Sequence, residues 1–168
     1  MFSKVIIGVL GPGENATPEE NELAYDLGAA IAKQGWAVLT GGREFGVMNA
    51  VLKGAADNKG LTIGILPGES TTGASRYAQI KIVTGMGSAR NNINVLSSHV
   101  LVVLGMAAGT ASEVSLALRA NKKVILLAQD ELSTMFFKKI GTYRVVSVNA
   151  IQEAIRLIKD YVDLNQIS

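Results

Sequence analysis

Short apolar runs alternate with amphipathic stripes along almost the whole chain. The runs occupy residues 5–10, 37–39, 61–66, 80–83, 100–104, 124–127 and 144–148. Their length and β-branched content predict strands, and residues 100–104 (Val-Leu-Val-Val-Leu) contain no polar position, as expected of a strand covered on both faces. Between the runs, apolar residues recur at helical spacing. They are Leu23, Leu27, Ala30 and Ile31; then Met48, Val51, Leu52 and Ala55; and finally Ile151, Ala154, Ile155, Ile158 and Val162. Thr17 with Glu20 reads as a capping box, Pro18 as the first helical residue and Gly35 as the stop, predicting a helix over 18–34. Asn149 with Gln152 reads as a second box, and residues 132–139 as a short helix. This alternation predicts an α/β protein with one domain over residues 1–168. The sheet is doubly wound, Rossmann-like and mostly parallel, with about seven strands and helices on both faces.

In such a sheet the ligand crevice lies beyond the carboxyl ends of the strands. Glycine-rich turns gather there: Gly11-Pro12-Gly13-Glu14-Asn15-Ala16, Gly41-Gly42-Arg43-Glu44-Phe45-Gly46 and Gly105-Met106-Ala107-Ala108-Gly109-Thr110. Thr110 is predicted to open a helix. A small-residue turn entering a helix leaves N–H groups free and a partial positive charge facing out, an arrangement suited to phosphate. Arg90, near the start of the preceding helix, adds a planar cationic fork, with Asn91 and Asn92 as neighbouring donors. GPGENA also matches a dinucleotide fingerprint. However, the helix starts only after extra loop residues, and Thr40-Gly41-Gly42 has no acid for a ribose. NAD is therefore not expected. Residues 69–79 read as an irregular loop beside the pocket or as a lid, with Arg76 and Tyr77 solvated. His99 reads as the polar first residue of a strand.

Composition narrows the choice further. The chain has 168 residues, 48% of them hydrophobic, and 18 glycines, enough for a substantial core. Its net charge is +2, and Lys122-Lys123 and Lys138-Lys139 are isolated pairs, so no basic stripe offers itself to nucleic acid. Without cysteine there is no disulfide, thiolate or thiol nucleophile, and with one histidine zinc is not expected. The apolar runs fall far below the roughly 20 residues of a membrane helix, and no signal-like segment opens the chain. A cytoplasmic protein without membrane partners is expected.

The order of the turns resembles the fold group once labelled lysine decarboxylase-like. That group includes the LOG-type cytokinin-activating phosphoribohydrolases and the molybdenum cofactor carrier proteins. The likeness rests on VIIGVLGPG, the Gly41-Gly42 turn with Gly46-Val47-Met48, GMGSARN and GTASE, and is nearer to the carrier branch. It implies ligand contacts at Gly11, Pro12, Gly13, Glu14, Gly41, Gly42, Gly46, Val47, Met48, Gly85, Met86, Gly87, Arg90, Asn91, Gly105, Ala107, Ala108, Gly109, Thr110 and Glu113. The implied ligand is a phosphorylated pterin or nucleotide, molybdenum cofactor first, with no NAD, pyridoxal phosphate or zinc. Where the hydrolases carry PGGxGTxxE, the proline is absent here and Met106 and Ala107 replace two glycines, restricting the loop.

Glu113 has two readings. Either it steadies a ribosyl cation or activates water during N-glycosidic cleavage, with Arg90 as the other catalytic residue, or it closes a capping box with Thr110. Three functions follow. The first is a carrier that exchanges cofactor with molybdenum enzymes or cofactor-synthesis proteins. The second is a nucleoside 5′-monophosphate phosphoribohydrolase, and the third a subunit whose apolar helices only build an assembly. A homo-oligomer, dimer or tetramer, is expected in each case.

Overall fold

The computed structural model describes residues 4–165 and contains one seven-stranded sheet in the order β4-β3-β2-β1-β5-β6-β7. The strands are β1 (Ile6–Leu10), β2 (Ala37–Thr40), β3 (Thr62–Leu66), β4 (Ile80–Val83), β5 (Val100–Leu104), β6 (Lys123–Leu127) and β7 (Val145–Val148). Every pairing is parallel, so the doubly wound expectation holds. Gly8 stands in register with Leu39 on one side and Leu101 on the other. After β1 the chain winds outward through β2, β3 and β4, then returns to place β5 on β1's free side. The winding reverses between β1 and β5, and a crevice opens above their carboxyl ends.

Alternation along the strands divides the core. Val100, Val102 and Leu104 face a cluster built with α1 (Pro18–Lys33), α2 (Gly46–Asp57) and α6 (Ile151–Leu164). Leu101 and Val103 face the opposite layer, formed by α3 (Asn91–Ser97), α4 (Ala108–Arg119) and α5 (Glu131–Gly141). α1 and α2 cross closely because Gly28 abuts the Val51 carbonyl and Gly54 abuts the Tyr25 carbonyl. β4 is an edge strand, with Ile80, Ile82 and Val83 each 44% exposed.

Helix starts test the local reading. Thr17 and Glu20 form the predicted capping box, and Gly35 adopts φ +78° after the helix. The other two boxes do not form. α4 begins at Ala108, two residues before Thr110, and its N-cap Ala107 has no side-chain bond. α6 has Ala150 as N-cap, and it is the Glu153 carboxylate, not Gln152, that receives the Asn149 N–H, at 3.4 Å. In both cases small residues let the backbone enter the helix at a position where no side chain caps it. α5 starts at Glu131 because Asp130 accepts the Ser133 N–H at 2.8 Å.

Candidate functional site

Above β1, β2 and β5 lies a cleft of about 220 Å³. Its wall comprises Gly11, Pro12 and Gly13 after β1, Gly41 after β2 with Met48 of α2, Arg90 and Asn91, and Ala107, Gly109, Thr110 and Glu113 of α4. These predicted residues come together from five separate stretches. Val9, Leu10 and Thr40 complete the lining and were not anticipated. Thr40 had a signal: it is a polar residue closing a buried strand just before the double glycine.

Arg90 ends a 3₁₀ turn, Gly87–Arg90, that runs directly into α3. Its residue is only 9% exposed. The terminal nitrogens of the guanidinium press against Gly41, where an added Cβ would stand 2.5 and 2.6 Å from them. Nη1 donates to Asn91 Oδ1 at 3.2 Å and lies 3.9 Å from Glu113 Oε1. Nε is buried with no partner, as is Thr40 Oγ1. Burial lowers the Arg90 pKa; the Glu113 charge opposes that shift and Arg43 adds to it.

Glu113 points away from its own helix start. Its Oε1 accepts from Asn94 Nδ2 at 2.7 Å, and the residue is 7% exposed. The predicted capping bond to the Thr110 region is thus replaced by a bond to α3, because the earlier helix start moves Glu113 out of reach of the helix's first N–H groups. Burial raises the Glu113 carboxyl above the ordinary glutamate value, against the opposing pull of Asn94 and then of Arg90. Asn94 follows Arg90 by four residues and so shares its helical face, a spacing that could have identified it.

The remaining predicted residues stand outside the cleft and shape it. Glu14 lies in an exposed turn. Gly42, at φ +73°, backs onto Gly64. Gly46 sits against the Pro12 and Gly13 carbonyls, and the Val47 N–H donates to Pro12 O at 3.0 Å, tying the first two turns together. Gly85 and Gly87 donate to Gly68 O and Pro67 O, both at 2.9 Å, and Met86 is 50% exposed. Gly105 packs at φ +64° beside the Glu20 carboxylate, and Ala108 is the exposed first residue of α4. Asn92 is exposed and away from the cleft. His99 precedes β5, and its Nδ1 accepts the Ile6 N–H at 3.0 Å. Arg76 is exposed, as read, with its guanidinium over the Tyr77 ring and bonded to the hydroxyl at 2.7 Å, whereas Tyr77, also read as solvated, is half-buried against the core.

The cleft thus has a cation on its floor, unused buried donors, and the uncapped N-terminus of a twelve-residue helix. That combination suits a small phosphorylated anion. Among the described residues, no cluster of three or more His, Cys, Asp or Glu side chains suits a metal ion, and no helix is long and apolar enough to cross a membrane. The match that accounts for the turns and their order extends over residues 4–155. The chain belongs to the SLOG cluster4 family.

Within and around the SLOG cluster4 family, the likeness is strong over the full length. The molybdenum cofactor binding protein of the phototrophic bacterium Rippkaea orientalis superposes with a TM-score of 0.94 at 49% identity, covering 96% of this chain and 99% of that one. The molybdenum cofactor carrier protein of Chlamydomonas reinhardtii gives 0.92 at 46% identity, with the same coverage. Similarity to the cytokinin riboside 5′-monophosphate phosphoribohydrolase of Mycobacterium tuberculosis is 35% over 94 residues, 55% of this chain and 50% of that protein.

Proposed function

We propose that this chain binds molybdenum cofactor and carries it without turning it over. The observation that carries the reading is the near-complete superposition, at 46–49% identity, on proteins that bind or carry that cofactor. The cleft fits such a cargo. Its phosphate group would face Arg90, Thr40 Oγ1 and the first N–H groups of α4. A cleft of about 220 Å³ is smaller than the roughly 300–1,000 Å³ of a site that encloses a drug-sized ligand. A cargo larger than the cleft would leave its pterin and metal accessible to a recipient at the rim. The chain releases its cargo to molybdenum enzymes or receives it from cofactor-synthesis proteins, and acts in the cytoplasm as a homo-oligomer.

The second reading is phosphoribohydrolase activity on a nucleoside 5′-monophosphate, favoured by the Arg90–Glu113 pair. A carboxyl whose pKa is raised by burial is a reasonable proton donor to a leaving base. Against it stand Met106 and Ala107, which replace the glycines of the hydrolase loop. One experiment separates the two. Purified protein is mixed with molybdenum cofactor to measure binding and protection from oxidation, and with AMP to measure released adenine. The carrier reading expects protection and no adenine above background. Adenine release, without cofactor protection, overturns it.

A further inference from the structure

The Gly13 side of the cleft's rim carries a second guanidinium. Arg43 is exposed, and its Cζ lies 4.9 Å from the centre of the Phe45 ring. The Phe45 ring and the Met48 methyl stand next to Gly13, where a Cβ would be 3.7 Å from Phe45 Cδ2 and 3.5 Å from Met48 Cε. Gly13 and Met48 both line the cleft, whereas Arg43 does not. The turn presenting Arg43 is pinned in place. Arg43 pairs with Ala74 in an isolated bridge, the Glu44 N–H donates to Gly73 O at 3.1 Å, and the Ser75 N–H donates to Gly42 O at 2.8 Å. Among the described residues no carboxylate forms an ion pair with Arg43. Its charge nevertheless reaches the cleft, because it adds to the downward shift at Arg90.

Arg43 stands outside the cleft lining, so its guanidinium would be met by a ligand that extends past the rim. We propose that Arg43, stacked on Phe45, is a second anion contact that selects ligands carrying negative charge beyond the inner phosphate. The inference rests on the carrier reading and deepens it. Arg90 would hold the phosphate, Met48 and the rim ring of Phe45 would offer apolar surface to a flat heterocycle, and Arg43 would supply a cation to an anionic group beyond it. A nucleoside monophosphate offers only an uncharged nucleoside at that position, so Arg43 discriminates against it. Guanidinium stacked on an aromatic ring keeps its edge donors free for such a contact.

The test compares the parent protein with Arg43→Gln and Arg43→Lys, measuring affinities for molybdenum cofactor and for AMP. Because the side chain is exposed, unchanged melting of both variants is expected and checks their folding. Arg43→Gln should weaken cofactor binding about fivefold and AMP binding less than twofold, the scale of one exposed charge contact. Arg43→Lys should retain most of the cofactor affinity. The difference between parent and Arg43→Gln should shrink as salt rises from about 50 to about 300 mM, since the contact is at the surface. Equal losses for both ligands would overturn the selectivity, no loss for either would remove Arg43 from the site, and both results leave the carrier reading standing. A parent protein that binds AMP but no cofactor overturns the carrier reading and this inference with it.

Discussion

Arg90 draws its role from what presses on it. Its guanidinium is buried against Gly41, tied to Asn91, and balanced by a carboxylate 3.9 Å away. Arg90→Ala should weaken binding of a phosphorylated ligand by about 1.5–3 kcal/mol, the scale of a charge-assisted bond, measured by calorimetry with AMP or cofactor. Gly41→Ala should produce a large part of that loss with Arg90 still present. A Cβ at 2.5 and 2.6 Å from the guanidinium nitrogens forces Arg90 off the floor. Normal affinity in a folded Gly41→Ala protein would put the anion elsewhere. Glu113 makes a pH prediction with a definite sign. Its folded pKa is raised by burial, so the folded state holds the proton where the unfolded chain has lost it. The stability it contributes is full below the ordinary glutamate value and fades as pH rises through the raised folded value. Glu113→Gln, neutral throughout, should therefore gain in melting temperature relative to the parent as pH rises from about 4.5. A melting-temperature difference independent of pH would show that the Glu113 proton is not linked to folding.

At the scale of elements, the closest packing is between α1 and α2. Gly28→Ala places a methyl against the Val51 carbonyl, and Gly54→Ala places one against the Tyr25 carbonyl. Alanine favours a helix by about 1 kcal/mol over glycine, while overpacking costs about 1–3 kcal/mol. The obstacle here is backbone, which cannot rotate aside, so overpacking wins. Each substitution should lower the denaturant midpoint, and a gain in stability would mean that the helices separate freely. Thr17→Ala removes the one capping box that forms and should cost about 0.5–2 kcal/mol with ligand affinity unchanged. That box was legible from four residues because every bond in it is local. The boxes expected at Thr110 and Asn149 have the same spacing and do not form. At Thr110 the decision came from the preceding alanine and glycine, which the chain wound into the helix without a cap.

At the scale of the whole molecule, two surfaces remain apolar. One is the β4 edge with Ile80, Ile82 and Val83, and the other is the outer side of α5 with Leu132, Met135, Phe136 and Ile140, 79, 63, 55 and 49% exposed. Monomers seldom leave such patches open to water. Light scattering should report at least twice the 17.7 kDa chain mass, and Ile82→Lys or Phe136→Glu should reduce it at whichever surface mediates pairing. A monomer of the parent protein at working concentration would contradict the expected homo-oligomer.

Sequence alone determined what depends on short-range order. Strand runs, helical stripes, the Thr17 box and the glycine turns are all set by neighbours a few residues apart. Their alternation was enough for a doubly wound sheet with its crevice at the strand ends. The tertiary structure decided which turn residues face the cleft and which brace it. Gly46, Val47, Gly85 and Gly105 share the motifs of the lining residues, yet each is spent on contacts with another loop, and no local pattern distinguishes those roles. Glu113 was decided the same way. Its partners Asn94 and Arg90 lie 19 and 23 residues away, and only the packing of α3 against α4 turns its carboxylate from the helix start toward them.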